Sequence, residues 1–302
     1  MKKKILIIGF GSIGKRHAFI LNKFRNVGKV FILTKQKIRN FTTIKDFKKI
    51  KFINPDYILV CSKTSDHYKH LKFIEKNFKN KIILIEKPLF DKSKKLKIKK
   101  NKVFVGYNLR YHPIIKFIKE KIKSKKIFSV YASCCSYMPY WRKNQNYKYS
   151  YSSSKKYGGG ALLDLSHEID YIQWIFGKIK KIHYSKIKKI SNLSIKSDDF
   201  VSIVGSTNKI NYVINLNYFS IYPKREIIID GKNFSLKADL IKNHIYLFEN
   251  GKFKNIKFNI NKNYTYKMQH EALLKKNHKV SCTYKDAEQL MLLIDKVRII
   301  SK

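Results

Sequence analysis

The apolar positions of the first hundred residues fall in short runs separated by polar, helix-like stretches. "KKILIIG" (3–9), "KVFILT" (29–34), "DYILVCS" (56–62), "KIILIE" (81–86) and "KVFVGY" (102–107) read as strands. Each is a brief block rich in β-branched and aromatic residues with polar flanks. Between them lie a helix from Gly14 to about Asn26, the segment "TSDHYKHLKFIEKN" and the lysine-rich "DKSKKLKIKK". This alternation predicts a parallel sheet covered on both faces. Beyond about residue 125 the texture changes. "FVSIVGS", "KINYVINLNYF", "REIIID" and "HIYLFEN" are strand-like runs with few helices between them, and Asp230-Gly231 and Asn250-Gly251 read as hairpin turns. A mostly antiparallel sheet is expected there, with a helix over 158–177 packed on it and two helices near 264–277 and 284–300. The polar "KEKIKSKK" sets the expected division into residues 1–120 and 121–302.

The 302 residues carry 66 Lys and Arg against 20 Asp and Glu, a net charge of +46. Only seven of the basic residues are arginine. Lysine is spread along the whole chain, which fits A/T-rich codon usage better than a nucleic-acid interface. Attraction of anionic small molecules is the milder consequence. Four cysteines (Cys61, Cys134, Cys135, Cys282) form no CxxC pair, so neither a disulfide framework nor a metal site is indicated. The apolar run after "MKKK" stops at Gly9, too short for a signal peptide. No stretch approaches 18 apolar residues. A cytoplasmic location is expected.

Candidate chemistry begins with "GFGSIG". Gly9, Gly11 and Gly14 follow a strand and open a helix, the context in which this spacing binds a dinucleotide. Gly9 allows the turn, Gly11 lets a pyrophosphate approach, and Gly14 lets helix and strand pack, with Ser12 and Ile13 in the helix's first turn. The second strand ends in Thr34 and Lys35 where an acid marking NAD is absent, which favours NADP over NAD. "ILIEKPLF" puts Glu86 and Lys87 at the end of a strand, where open α/β sheets bind ligands. "GGGALLDLSHEID" places Asp164 and His167 one helical turn apart behind three glycines. Taken alone, such a pair is an ordinary surface feature.

In order along the chain, GxGxxG, "EKP", "VGYNLRYHP" (105–113) and "GGGALLDLSHEID" resemble the glucose–fructose oxidoreductase/inositol dehydrogenase (Gfo/Idh/MocA) family. The resemblance implies an α/β architecture. An N-terminal Rossmann dinucleotide-binding domain is followed by a C-terminal α+β domain with an open, mostly antiparallel sheet. It also implies a nicotinamide cofactor and redox chemistry on a sugar or cyclitol hydroxyl, and a homo-oligomer such as a dimer or tetramer. By the same resemblance Lys87, Asp164 and His167 are catalytic, and "VCSKTSDH", with Cys61, Ser62 and His67, is the loop over the nicotinamide, carrying Lys63 where the family usually has Pro. The block "YMPYWRKNQNYKYSYSSSKKYGGG" looks like a subgroup associated with surface-sugar or nucleotide-sugar metabolism.

Many members space the Asp and His by four residues, whereas here the spacing is three. On one continuous helix that sets them about 60° apart rather than about 40°. Leu162, Leu165, Ile169, Ile172 and Phe176 would form the opposite, core-facing stripe, so the pair should point away from the sheet. In this reading His167 is the general base, Asp164 orients it, and Lys87 stabilises the charge developing on the reacting oxygen. Asp170 and Trp174 read as structural. Trp141 and Tyr151 could stack on a sugar and Arg142 grip an anionic group; Tyr107, Asn108 and Arg110 are candidate cleft walls. Two other classes remain open: a non-catalytic regulatory protein that binds a dinucleotide through the same fold, and a nucleic-acid binder.

Overall fold

The computed structural model describes residues 2–142 and 145–301, so Lys143 and Asn144 of the aromatic block lie outside it. The chain forms two compact units, Met1–Asn108 with Lys262–Met291, and Leu109–Asn261 with Leu292–Lys302.

In the first unit β1 (Lys3–Ile8), β2 (Val27–Leu33), β3 (Thr42–Ile44), β4 (Tyr57–Val60), β5 (Ile82–Ile85) and β6 (Lys102–Val105) are parallel, in the order β6-β5-β4-β1-β2-β3. The central strands have no polar alternation because both faces are covered: Ile5 to Ile7 and all of Tyr57–Val60 are 0% exposed. α1 (Ser12–Leu21) and α2 (His67–Asn77) follow β1 and β4. Strand order reverses between β1 and β4, which opens the crevice at their carboxyl ends where such sheets bind ligands.

In the second unit α3 (Pro113–Lys121) precedes β7 (Ile127–Cys135), α4 (Ala161–Asp164) and α5 (His167–Phe176). Then come β8 (Lys181–Lys188), β9 (Phe200–Ser206), β10 (Asn211–Asn217), β11 (Lys224–Gly231), β12 (Phe234–Asp239), β13 (His244–Glu249) and β14 (Lys252–Lys257). Together with β7 they form an eight-stranded sheet, β14-β13-β12-β11-β7-β10-β9-β8, antiparallel except where β10 meets β7. Asn250-Gly251 makes a two-residue hairpin with both φ positive, as the sequence predicts. The earlier turn is displaced: Gly231 stays in the strand, and Lys232-Asn233 turns, with Asn233 at φ +52°.

The chain then returns to the first unit. α6 (Tyr264–Leu274) packs on α1, and Leu273 and Leu274 enter that unit's core. β15 (Cys282–Thr283) adds antiparallel to β6. α7 (Tyr284–Ile300) belongs to the first unit through Met291 and to the second from Leu292. No helix of the described residues is long and apolar enough to cross a membrane.

Candidate active site

The glycine loop is built as its spacing requires. Gly9 has φ +99°, and a Cβ there would lie 2.7 Å from the Cys61 carbonyl oxygen; one at Gly14 would lie 2.2 Å from the Gly9 oxygen. Both are forced by backbone packing. Gly11 is different, since a Cβ there would meet nothing within 4 Å. Its side is open, beside a helix start that no side chain caps, with Ser12, Ile13 and Gly14 in the first turn.

The Thr34 hydroxyl accepts the Gln36 amide at 3.2 Å, turning the chain, and Lys35 is exposed outside the adjacent cavity. That cavity, about 380 Å³, is lined by Phe10, Lys15, Gln36, Lys37, Arg39 and Asn40 among others. Its cations are therefore Lys15, Lys37 and Arg39. They were not singled out from the sequence because a lysine-rich chain hides which lysine turns inward.

Around β4 and β5, Cys61 is buried and packs its Cβ against the Gly14 position; burial pushes its thiol well up. The Ser62 hydroxyl meets His70 Nδ1 at 2.9 Å. His67 is 1% exposed, with Nδ1 3.0 Å from the Pro88 carbonyl and Nε2 3.2 Å from that of Ser62. It thus clamps the loop after β4 to the loop after β5, which corrects its expected place as a cofactor contact. Glu86 is also buried. Burial alone would raise its pKa, but a 2.8 Å hydrogen bond from His17 Nε2 leads the contacts that more than offset this, leaving the carboxyl below the ordinary range. Its other oxygen accepts the Lys87 amide at 3.2 Å. Lys87 itself is half-buried.

The helix expected over 158–177 is broken between its two polar residues. α4 ends at Asp164, Leu165 departs to φ −100°, ψ +23°, and α5 begins at His167. The Ser166 hydroxyl donates to the Leu163 carbonyl at 2.8 Å, a local bond that competes with helix continuation. The 60° offset of one continuous helix therefore does not apply. Nor does Asp164 point away from the sheet. It is 6% exposed, and its Oδ2 accepts the Tyr218 phenol, just past β10, at 2.8 Å. The Tyr151 phenol donates to the same carboxylate. Burial first, then the Asp164 charge, pushes both phenols well up, so they remain donors. His167 is partly exposed. The apolar stripe is buried as expected.

Asp198, unremarked in the sequence, fixes this corner. It receives the Leu162 amide on Oδ2 at 2.9 Å and the Ala161 amide on its backbone oxygen. Gly160 must be glycine, because with φ +116° its Cβ would stand 2.2 Å from Asp198 Oδ1. Trp141 packs edge-on against Tyr218, ring centres 4.9 Å apart, and donates to the Ser136 hydroxyl at 2.8 Å. Arg142 bonds Gln145, beside a hollow of about 20 Å³, room for one water and not for a sugar ring.

Three candidate cleft walls are internal instead. Tyr107 is 1% exposed. The Asn108 amide donates to the Thr265 hydroxyl at 2.9 Å. Arg110 is buried and forks onto Asp170 at 2.7 and 3.0 Å, its guanidinium near the Trp174 ring. Asp170 and Trp174 are structural, as expected.

Residues 3–106 match the family model described as "Oxidoreductase family, NAD-binding Rossmann fold", and residues 119–293 match "Oxidoreductase family, C-terminal alpha/beta domain". A Bacillus subtilis (strain 168) glucose-6-phosphate 3-dehydrogenase is 24% identical over 78% of this chain and 71% of its own length. Among solved structures, levoglucosan dehydrogenase in complex with NADH superposes with a TM-score of 0.85 at 16% identity, covering 100% of this chain and 97% of that one. The WlbA dehydrogenase from Bordetella pertussis, in complex with NADH and UDP-GlcNAcA, gives 0.77 at 13% identity, with 100% and 97% covered.

Proposed function

We propose that this chain, which belongs to the Gfo/Idh/MocA oxidoreductase family, transfers hydride between a nicotinamide cofactor and a hydroxyl-bearing carbon of a sugar or sugar derivative. The observation that carries the reading is the open face of Gly11 at the uncapped start of α1, in a Rossmann sheet whose strand β5, two places from β1, leads into Lys87. The bound nicotinamide supplies the hydride acceptor. The chain's own groups handle the proton and the charge. His167 takes the hydroxyl proton, and the Asp164 carboxylate favours the resulting imidazolium. Lys87 hydrogen-bonds the oxygen on which negative charge develops. Tyr151 and Tyr218 hold Asp164 in place. The named relatives support a sugar: they are dehydrogenases of glucose 6-phosphate and levoglucosan, and one was solved with a UDP-linked sugar acid. The excess of cations favours an anionic one.

NADP is favoured over NAD, now on Lys15, Lys37 and Arg39 rather than Lys35. A homo-oligomer is also proposed. One row across the second sheet, Tyr246, Lys237, Ile228, Tyr131, Val213, Val204 and Tyr184, is apolar but for one residue, and none of it is buried. Four buried cysteines, none of them in a disulfide, fit a reducing, cytoplasmic setting.

Fluorescence titration with NADPH and NADH at low and near-physiological salt tests the cofactor. NADPH should bind at least about tenfold tighter, and Lys37→Ala with Arg39→Ala should erase the difference. Tight NADH with weak NADPH would overturn the preference, and binding of neither would overturn the oxidoreductase. Turnover of glucose 6-phosphate, levoglucosan and UDP-linked sugar acids, with Lys87→Ala and His167→Ala as controls, then tests the substrate class.

A further inference from the structure

Beneath the Lys87 turn lies a buried chain of four polar side chains from four elements. The Tyr57 hydroxyl, on β4, is 3.0 Å from His270 Nδ1, on α6. His270 Nε2 is 2.7 Å from His17 Nδ1, on α1. His17 Nε2 is 2.8 Å from Glu86 Oε1, and Glu86 Oε2 accepts the backbone amide of Lys87. Tyr57, His17 and His270 are all 0% exposed. An array of this kind, sealed from water, is costly to bury unless each member is satisfied.

The carboxylate places one proton, on His17 Nε2, and the rest follow if His17 is neutral. An ionised carboxylate only accepts, so His17 carries its proton on Nε2. A neutral His17 then has a bare Nδ1 and accepts from His270 Nε2–H. The bare Nδ1 of His270 accepts the phenol of Tyr57. Burial, followed by the proximity of His17, holds the His270 pKa well below its usual value, in keeping with a neutral ring. In that arrangement every donor points the same way, toward Glu86, and the ring spectra below test it. Glu86, 8% exposed, is the only member of the array with any exposure; Tyr57 at the far end is sealed, so the array does not carry protons through the molecule. Its output is mechanical. Glu86 is pinned at Oε1 by the imidazole, and the space for this carboxylate exists because residue 106 is glycine, where a Cβ would stand 2.8 Å from the same oxygen.

We infer that His17, His270 and Tyr57 are positioning residues for Lys87, acting through Glu86, and that α6 returns to the first unit to complete this support. The inference rests on the reading of Lys87 as the residue that meets the reacting oxygen beside the cofactor. A site that must hold an ammonium to within a fraction of an ångström needs its neighbours locked as well. Lys87 has a flexible stem, and what the fold fixes is the backbone from which that stem departs. Glu86 fixes it at the adjacent residue.

Two measurements test this. Nitrogen–proton correlation spectra of the histidine rings in the intact protein near pH 7.5 should show His17 and His270 each protonated on Nε2 alone. A proton on Nδ1 of either ring would break the directed chain and overturn the proposal. Trace acetylation of Lys87, read by mass spectrometry with and without saturating NADH, tests the positioning. In wild type the cofactor should slow modification of Lys87 about tenfold; in His270→Phe, with folding checked by circular dichroism, protection should fall below about twofold. His270→Gln restores a donor and an acceptor and should recover most of it. If wild-type Lys87 is not protected at all, the reading of Lys87 fails and the inference with it. If wild type and folded His270→Phe are protected equally, Lys87 lies at the cofactor and the positioning role alone is refuted. Should His270→Phe fail to fold, the glutamine variant and the ring spectra decide.

Discussion

Replacing Arg110 with alanine separates the two roles this residue can have. The guanidinium and the Asp170 carboxylate are 6% and 4% exposed and meet at 2.7 and 3.0 Å in a bidentate pair. At an effective dielectric near 20, opposite charges roughly 3 Å apart attract by about 5–6 kcal/mol. Burying each ion costs several kcal/mol, so the intact pair contributes little net stability. Breaking it is another matter: Arg110→Ala strands a buried carboxylate and should cost about 3–5 kcal/mol. At roughly 2–4 °C per kcal/mol for a domain of this size, the unfolding midpoint should drop by about 6–20 °C. Asp170→Ala should fall by a similar amount. The double change Arg110→Met with Asp170→Leu removes both charges and keeps the volume. It should return to within about 2 kcal/mol of wild type, far less than the two single losses added together. Thermal unfolding followed by circular dichroism reads all four proteins. If Arg110→Ala lowers stability by less than about 1 kcal/mol, the pair is not the buried lock described here. The candidate cleft-wall role for Arg110 would then return.

Four further outcomes follow from the structure. Gly11→Ala should keep stability within about 1 kcal/mol yet weaken NADH and NADPH binding at least about tenfold, because the added methyl enters the space reserved for the diphosphate. Gly160→Ala should instead cost at least about 2 kcal/mol, being strained at φ +116° and in collision with Asp198; equal effects on folding from both would refute the distinction. His112 is 6% exposed and caps α3 through Nδ1, and burial, followed by the Arg225 charge, lowers its pKa to about 4. Its folded pKa lies below the unfolded value, so its contribution is whole above about pH 6.5 and is lost as pH falls toward 4, about 3 kcal/mol in all. His112→Asn keeps a capping side chain and removes the proton, so denaturant titrations should show a flatter acid limb by that amount; an unchanged slope refutes the assignment. Tyr218→Phe removes a donor from a buried carboxylate and should cost about 1.5–3 kcal/mol in urea unfolding; a change below about 0.5 kcal/mol would mean the bond to Asp164 contributes no stability.

What the sequence revealed and what it hid divide along one physical line. The glycine loop was legible because its requirements are local: Gly14 must be bare because of Gly9, five residues earlier, and both lie in one strand-to-helix turn. The alternation of buried runs was legible for the same reason, since strands covered on both faces show it residue by residue. Asp164 and His167 were found as residues, but their arrangement was not. The break between them depends on Ser166 bonding Leu163, which is local, and on Tyr218 drawing Asp164 toward β10 from 54 positions away, which is not. Composition hid detail in a different way. With so many lysines, nothing in the sequence separates Lys35, which stays outside the cavity, from Lys37 and Arg39, which line it beyond the turn made by Thr34 and Gln36.

The histidines carry that line to its end. His17 and His270 are 253 residues apart in sequence and 2.7 Å apart in the fold. Neither sits in a spacing that marks a metal or a triad, so pattern reading passes over both. Yet a buried neutral imidazole needs a donor on one side and an acceptor on the other, and only the return of α6 to the first unit supplies the second ring. The residues nearest the proposed chemistry could be read because they stand beside one another in motifs. The residues that hold them still could not, because rigidity is assembled from distant parts of the chain. Lys87 shows both at once: its motif is three letters long, and its support comes from Tyr57, His17 and His270.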